Sequence, residues 1–255
     1  MALRLIGTDP WLKCDARVAT ELLGSSYGGW YVATSLLPSS PIVVSLGIGG
    51  DITFDRIMVE RFGASVVACD PTPLAADTVL RAQLPASCLS FLPAAVSDYD
   101  GQGTFEPVLV GGQPTGCYRL APADPSDGAR IGVAVRSLAS LIRERCPSGL
   151  DVLKMDIEGA EYEAIPDLLS AGLRPGQILV EFHHRFADRG TAATLRVVRM
   201  LREAGYALVR LSDQGPEYTF VHERLARSAG STAPPSTRVD ARPIAAPRSR
   251  PDHAS

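Results

Sequence analysis

The sequence predicts an α/β protein, with a mostly parallel seven-stranded sheet covered by helices and closed by an antiparallel hairpin. Three observations carry this. Short apolar runs alternate with helical patterns from residue 42 to residue 211, which implies parallel strands joined by right-handed crossovers. The first run opens into a glycine-rich loop, and the second ends on an acid. Only SDQGP (212–216) separates the last two strand patterns, which is hairpin length.

Taken in order, IVVSL (42–46) is a short apolar strand and 54–62 carries a helical pattern. SVVAC (65–69) is a second strand ending at Asp70, followed by a helix over 74–84. A third strand over 89–96 contains Pro93, which confines it to an edge or an irregular form. Residues 100–130 are rich in Gly, Pro and Asp and are expected to form loops with short strands. Val133 to Val135 lead into a helix over 137–145. A strand at 150–155 precedes a helix near 160–171, and QILVEF (177–182) is the next strand. A helix over 191–204 and strands near 206–211 and 217–222 complete the pattern.

The 255 residues, 45% of them apolar, can bury one large core. Net charge is −3 and the isoelectric point is about 5.8. That gives no electrostatic reason to expect nucleic acid or an anionic membrane as partner. Five widely spaced cysteines form no CxxC pair, which argues against a disulfide framework or a zinc ribbon. No signal-like or membrane-spanning run is present, so a cytoplasmic protein is expected. Residues 228–255 hold five prolines, four arginines and no aromatic residue, a composition that does not offset ordering entropy. The expected organisation is an extension at 1–23, a domain at 24–224 and a disordered tail at 225–255.

In SLGIGGDITFD (45–55), Gly47, Gly49 and Gly50 let the backbone turn tightly and approach a ligand. The pattern is GxGG, not the GxGxxG of a diphosphate fingerprint. Asp51 stands where pyrophosphate would lie, so an anion is repelled and a cation is favoured. S-adenosylmethionine (SAM) carries a sulfonium and an ammonium group and no phosphate. Asp70, 21 residues after Gly49, suits hydrogen bonds to ribose hydroxyls. At the third strand end, Ala95 and Val96 are candidates to cover an adenine, and Ser97 or Asp98 to bond its amino group.

SLGIGGDITFD, ACDPTP, LKMDIEGAEYEAI and ILVEFHH, in this order, resemble the FkbM family of SAM-dependent methyltransferases. The resemblance spans roughly residues 24–222 and is closest to the branch with YGGW (27–30) before the first strand. It implies a Rossmann-like class I methyltransferase fold and SAM as methyl donor. It further implies O-methylation of a hydroxyl on a sugar, glycan or secondary metabolite, with no nucleic-acid or membrane partner expected.

Asp156 ends one central strand, and Glu181 and His183 share a face at the end of the next. A hydroxyl attacking a sulfonium methyl must lose its proton. A general base serves, pointing to His183 or His184. So does a divalent cation, for which Asp156, Glu181 and His183 offer a site for Mg²⁺ or Mn²⁺. Glu158 is a further site candidate. Glu161 and Glu163 are expected to complement a helix dipole. Tyr27 and Trp30 are read either as a lid or stacking wall over the site, or as part of a helix packed on the sheet. Two other functions remain open, a dinucleotide-dependent oxidoreductase and a non-catalytic SAM-binding module.

Overall fold

The computed structural model describes residues 9–110, 112–121, 130–212 and 216–228. The expected disordered tail lies almost wholly outside the described residues, as do residues 122–129 of the 100–130 region.

A seven-stranded sheet forms the centre. Its strands are β3 (Ile42–Leu46), β4 (Ser65–Cys69), β5 (Leu89–Leu92), β10 (Val152–Met155), β11 (Gln177–Glu181), β12 (Tyr206–Leu211) and β13 (Glu217–His222). They lie in the order β12-β13-β11-β10-β3-β4-β5. The pairs β3–β4, β4–β5, β3–β10 and β10–β11 are parallel, whereas β13 runs antiparallel to both β11 and β12. The chain therefore passes β12 to the sheet's edge and returns by the hairpin to fill the gap beside β11. This is the class I methyltransferase arrangement that the closing hairpin predicted.

Helices α1 (Thr53–Phe62) and α2 (Pro73–Ala82) cover one face. Helices α3 (Leu138–Arg145), α4 (Glu161–Ser170) and α5 (Thr191–Glu203) cover the other, and α6 (Glu223–Ser228) follows β13. Side-chain alternation explains the two layers. Val43, Val66, Val152 and Leu179 pack with Phe54 and Met58 of α1. Their neighbours Val44, Leu153, Ile178 and Val180 pack with Leu141, Ile165 and Val198. Both faces of the central strands are thus apolar, and their sequences read as continuous apolar runs.

Local chemistry sets the helix starts. In ACDPTP, the Thr72 side chain accepts from Ala75 N at 3.3 Å and Pro73 occupies the first helical turn of α2. Gly63, in the left-handed conformation, closes α1.

Three elements differ from the sequence reading. The strand expected over 89–96 is two strands, β5 and β6 (Ala95–Ser97), which belong to different sheets. Pro93 lacks the N–H to continue the ladder, and the break redirects the chain. Residues 101–120 are not loops but a long hairpin, β7 (Gly101–Val110) and β8 (Gln113–Leu120). With β6 and β9 (Ile131–Ser137) it forms a second sheet in the order β6-β9-β7-β8. YGGW lies in neither a helix nor a loop lid alone. It links β1 (Glu21–Leu23) to its antiparallel partner β2 (Trp30–Val32), so the hairpin straddles the expected boundary at residue 23. All five cysteines are free. Among the described residues no helix is long and apolar enough to cross a membrane.

Candidate active site

The carboxyl ends of β3, β4, β10 and β11 converge on one edge of the sheet, where ligands of open α/β sheets bind. At Gly47 (φ +76°) the chain turns out of β3, and an added Cβ would lie 1.7 Å from the Asp156 carbonyl oxygen. The glycine loop and the end of β10 thus touch backbone to backbone, which only glycine permits. Gly49 (φ +54°) points the other way, and a Cβ there would meet nothing within 4 Å. The outer side of the loop is open.

Asp70 is buried beneath that loop. One carboxylate oxygen accepts from Ile48 N and Gly49 N, both at 2.9 Å, and the other from Thr72 N at 2.8 Å and Thr72 Oγ1 at 2.6 Å. Asp70 stands where the sequence places a ribose ligand, and it also shapes the loop and the start of α2. Asp51 is engaged as well. It accepts from Ser25 Oγ at 2.5 Å and from Thr53 N and Oγ1 at 2.8 and 2.6 Å. Burial works to raise its pKa, but the hydrogen bonds from Ser25 and Thr53 outweigh it and hold the carboxyl below its usual range. Asp51 therefore docks the β1–β2 turn onto the glycine loop.

Of the two aromatic residues in that turn, Trp30 is core, with the ammonium of Lys154 5.3 Å from its ring centre. Lys154 is itself buried and donates to the carbonyls of Leu46 and Gly47. Tyr27 is exposed. Its phenol pKa is raised by Cys117, then by burial, then by Asp156, Glu181 and Glu158, so the ring lies within electrostatic reach of the acidic cluster. Ala95, Val96 and Ser97 are all buried. Ala95 packs with Phe105 and Val133, and Val96 belongs to the main core.

The cluster itself is tight. His183 Nε2 lies 3.3 Å from Glu158 Oε2 and 3.7 Å from Asp156 Oδ1, while Nδ1 lies 3.1 Å from Glu161 Oε1. Asp156 Oδ1 is buried without a hydrogen-bond partner. Glu158 has φ +51° and Gly159 φ +100°, and this left-handed turn delivers Glu158 to His183. A non-glycine residue there is strained by about 1–3 kcal/mol. Burial raises the pKa of Glu158, with His183 opposing it. It also raises that of Glu181, reinforced by the charge of Asp156. At His183, burial opposes the charge, but Glu161, Asp156 and Glu158 prevail and push the pKa up to about 10. The surrounding carboxylates thus favour the protonated imidazole where no cation is bound. His184 points elsewhere, buried with Nε2 3.1 Å from Asp9, as alternation along the chain requires.

Glu161 is more than a helix-dipole partner. Fully buried, it accepts from His183 N at 2.8 Å and from Gly159 N at 2.9 Å as well as facing Nδ1. Its place in the first turn of α4 gave no sign of this in the sequence. The long hairpin also reaches the site. Cys117 on β8 hydrogen-bonds Glu158, and burial with that carboxylate pushes its thiol to about 11. Arg119 pairs with Asp188 at 3.1 Å and lies 5.7 Å from the ring centre of Phe186, which in turn packs on His183 at 5.0 Å.

No curated protein matches the chain. Fibrillarin, a pre-rRNA processing protein of Methanococcus jannaschii, is similar at 11% identity and a TM-score of 0.42, over 74% of this chain and 68% of that one. An rRNA methylase of Streptococcus thermophilus is similar at 14% identity and a TM-score of 0.41, over 73% and 87%. Fibrillarin of Aeropyrum pernix, in complex with natively bound SAM, is similar at 11% identity and a TM-score of 0.38, over 73% and 66%. The exclusion of nucleic acid as a partner does not stand, because it rested on net charge alone. Net charge averages over the whole chain and does not describe the potential over the site. The Methyltransferase FkbM domain matches residues 48–208. That match covers most of the chain, including the ends of β4, β10 and β11, and leaves no place for the oxidoreductase alternative. The protein belongs to the FkbM methyltransferase domain family.

Proposed function

We propose that the protein transfers the methyl group of SAM to a hydroxyl oxygen on a sugar, glycan or secondary metabolite. The observation that carries this reading is the contact of Gly47 with Asp156, which puts the cofactor loop directly beside the acidic cluster. The residues present suit SAM. Carboxylates end β4, β10 and β11, an arrangement that favours a cationic ligand and repels a diphosphate, and the open side of Gly49 leaves room for it.

When bound, SAM supplies an electrophilic methyl whose leaving thioether is neutral, so no acid is needed. The chain must position the acceptor oxygen in line and take its proton. Asp156 and Glu158 orient the hydroxyl. Glu181, made more basic by burial and by Asp156, accepts the proton. Tyr27 and the β7–β8 hairpin wall the acceptor side.

Purified protein with methyl-labelled SAM and a panel of sugars, glycans, polyketide-type alcohols and RNA tests this. The expected product is a labelled, base-stable methyl ether. Absence of SAM binding in a calorimetric titration, or label appearing on nitrogen or carbon, overturns the reading.

A further inference from the structure

The cluster at the end of β10 carries more than the methyl-transfer reading requires. Asp156, Glu158 and Glu161 all face one imidazole. Among the described residues, no lysine or arginine forms an ion pair with Asp156 or Glu158. The buried oxygen of Asp156 has no donor at all. Unpaired carboxylate oxygens in a buried site are costly unless a cation or donor meets them. The strained backbone at Glu158 adds one more carboxylate to this crowd, so a single imidazole faces more negative charge than it can neutralise.

Geometry names the missing partner. Oxygen, oxygen and nitrogen from Asp156, Glu158 and His183 all lie within 4.8 Å of one another. The two recorded separations from His183 Nε2 are 3.3 and 3.7 Å. Ligands about 2.1 Å from an octahedral cation are about 3 Å apart when adjacent and about 4.2 Å apart when opposite. To reach adjacent-ligand spacing, the two His183 separations of 3.3 and 3.7 Å shorten by about 0.3 and 0.7 Å. Glu161 completes the pattern: it accepts a hydrogen bond from Nδ1–H, so a cation that displaces the Nε2 proton meets a nitrogen lone pair facing Asp156 and Glu158. A carboxylate behind a ligating histidine is the usual way proteins fix ring and tautomer.

We infer that Asp156, Glu158 and His183 bind a divalent cation of the Mg²⁺ or Mn²⁺ class, with Glu161 as the positioning residue for His183. Two carboxylates and one imidazole suit Mn²⁺ and Mg²⁺ better than a soft, thiolate-preferring metal. Three protein ligands leave open positions for the acceptor hydroxyl, whose pKa the cation lowers. This inference rests on the methyltransferase reading for its purpose but not for its test.

Mn²⁺ binding to the full chain, followed by electron paramagnetic resonance without SAM or acceptor, is the direct measurement. Micromolar to submillimolar binding with a ¹⁴N coupling is expected. His183→Gln should remove the coupling, and Glu158→Gln should weaken binding while leaving the coupling in place. Glu161→Gln should lower Mn²⁺ affinity about 10-fold or more and broaden the ¹⁴N signal, with SAM affinity unchanged. Glu163→Gln, which lies outside the cluster, should change nothing. Binding weaker than millimolar in wild type, or binding indifferent to Glu158→Gln and His183→Gln, overturns the inference. Methyl transfer undiminished in EDTA together with absent Mn²⁺ binding would sink the cation and leave the methyltransferase reading standing. Mn²⁺ binding without SAM binding would do the reverse.

Discussion

At the scale of single residues, the site is governed by contacts that tolerate no extra atom. Gly47→Ala must both adopt φ +76° and move the Asp156 carbonyl. Gly49→Ala meets only the conformational penalty, about 1–2 kcal/mol. Urea denaturation should therefore show Gly47→Ala losing clearly more stability than Gly49→Ala; equal losses would mean the loop and β10 are not in contact. Asp156→Ala should abolish methyl transfer while calorimetric SAM binding persists. Near-normal turnover by that variant would remove Asp156 from the reacting centre. Most of these residues were legible beforehand because an acid at a strand end or a glycine after a strand carries its own chemical argument. Glu161 was not, because a glutamate in the first turn of a helix is ordinary, and only the fold brings His183 to it.

At the scale of elements, Asp70 ties the glycine loop to α2 through four hydrogen bonds. Asp70→Ala should lower stability by about 1–3 kcal/mol and weaken SAM binding together. A variant with full stability and weak binding would point to a ribose contact alone. The strands and helices of the main sheet were readable because their apolar periods are strong and their boundaries carry Gly, Pro and Asp signals. The β7–β8 hairpin was missed because its strands contain Gly101, Gly103, Pro107, Pro114 and Gly116, which read as loop. Pairing along the ladder with β9 overrides those local preferences. The 89–96 strand failed at Pro93, a residue whose disruptive effect was visible but whose outcome, a change of sheet, depends on a partner far along the chain.

At the scale of the whole molecule, the charge around His183 links stability to pH. Its folded pKa, about 10 against an ordinary 6.5, means the folded state binds the extra proton between those values. The metal-free protein should gain its full His183 contribution below about pH 6.5 and lose it as pH rises toward 10. Glu181, also raised, adds loss in the same direction at lower pH. Thermal unfolding followed from pH 5 to 10 should show this decline, and His183→Gln should flatten its upper part. A wild-type profile that is flat or rises across this window would mean the cluster is not coupled as described.

The sheet β6-β9-β7-β8 enters the chain between β5 and β10, so a single continuous stretch brings Cys117 of β8 to Glu158 at the cluster. Arg119, by pairing with Asp188, is the latch that holds that stretch to the loop after β11. On the proposed function, donor and acceptor contacts fall in separable stretches of sequence. On that reading, grafting residues 101–120 from one family member onto another should change which acceptor is labelled from methyl-labelled SAM while leaving SAM affinity in calorimetric titration unchanged.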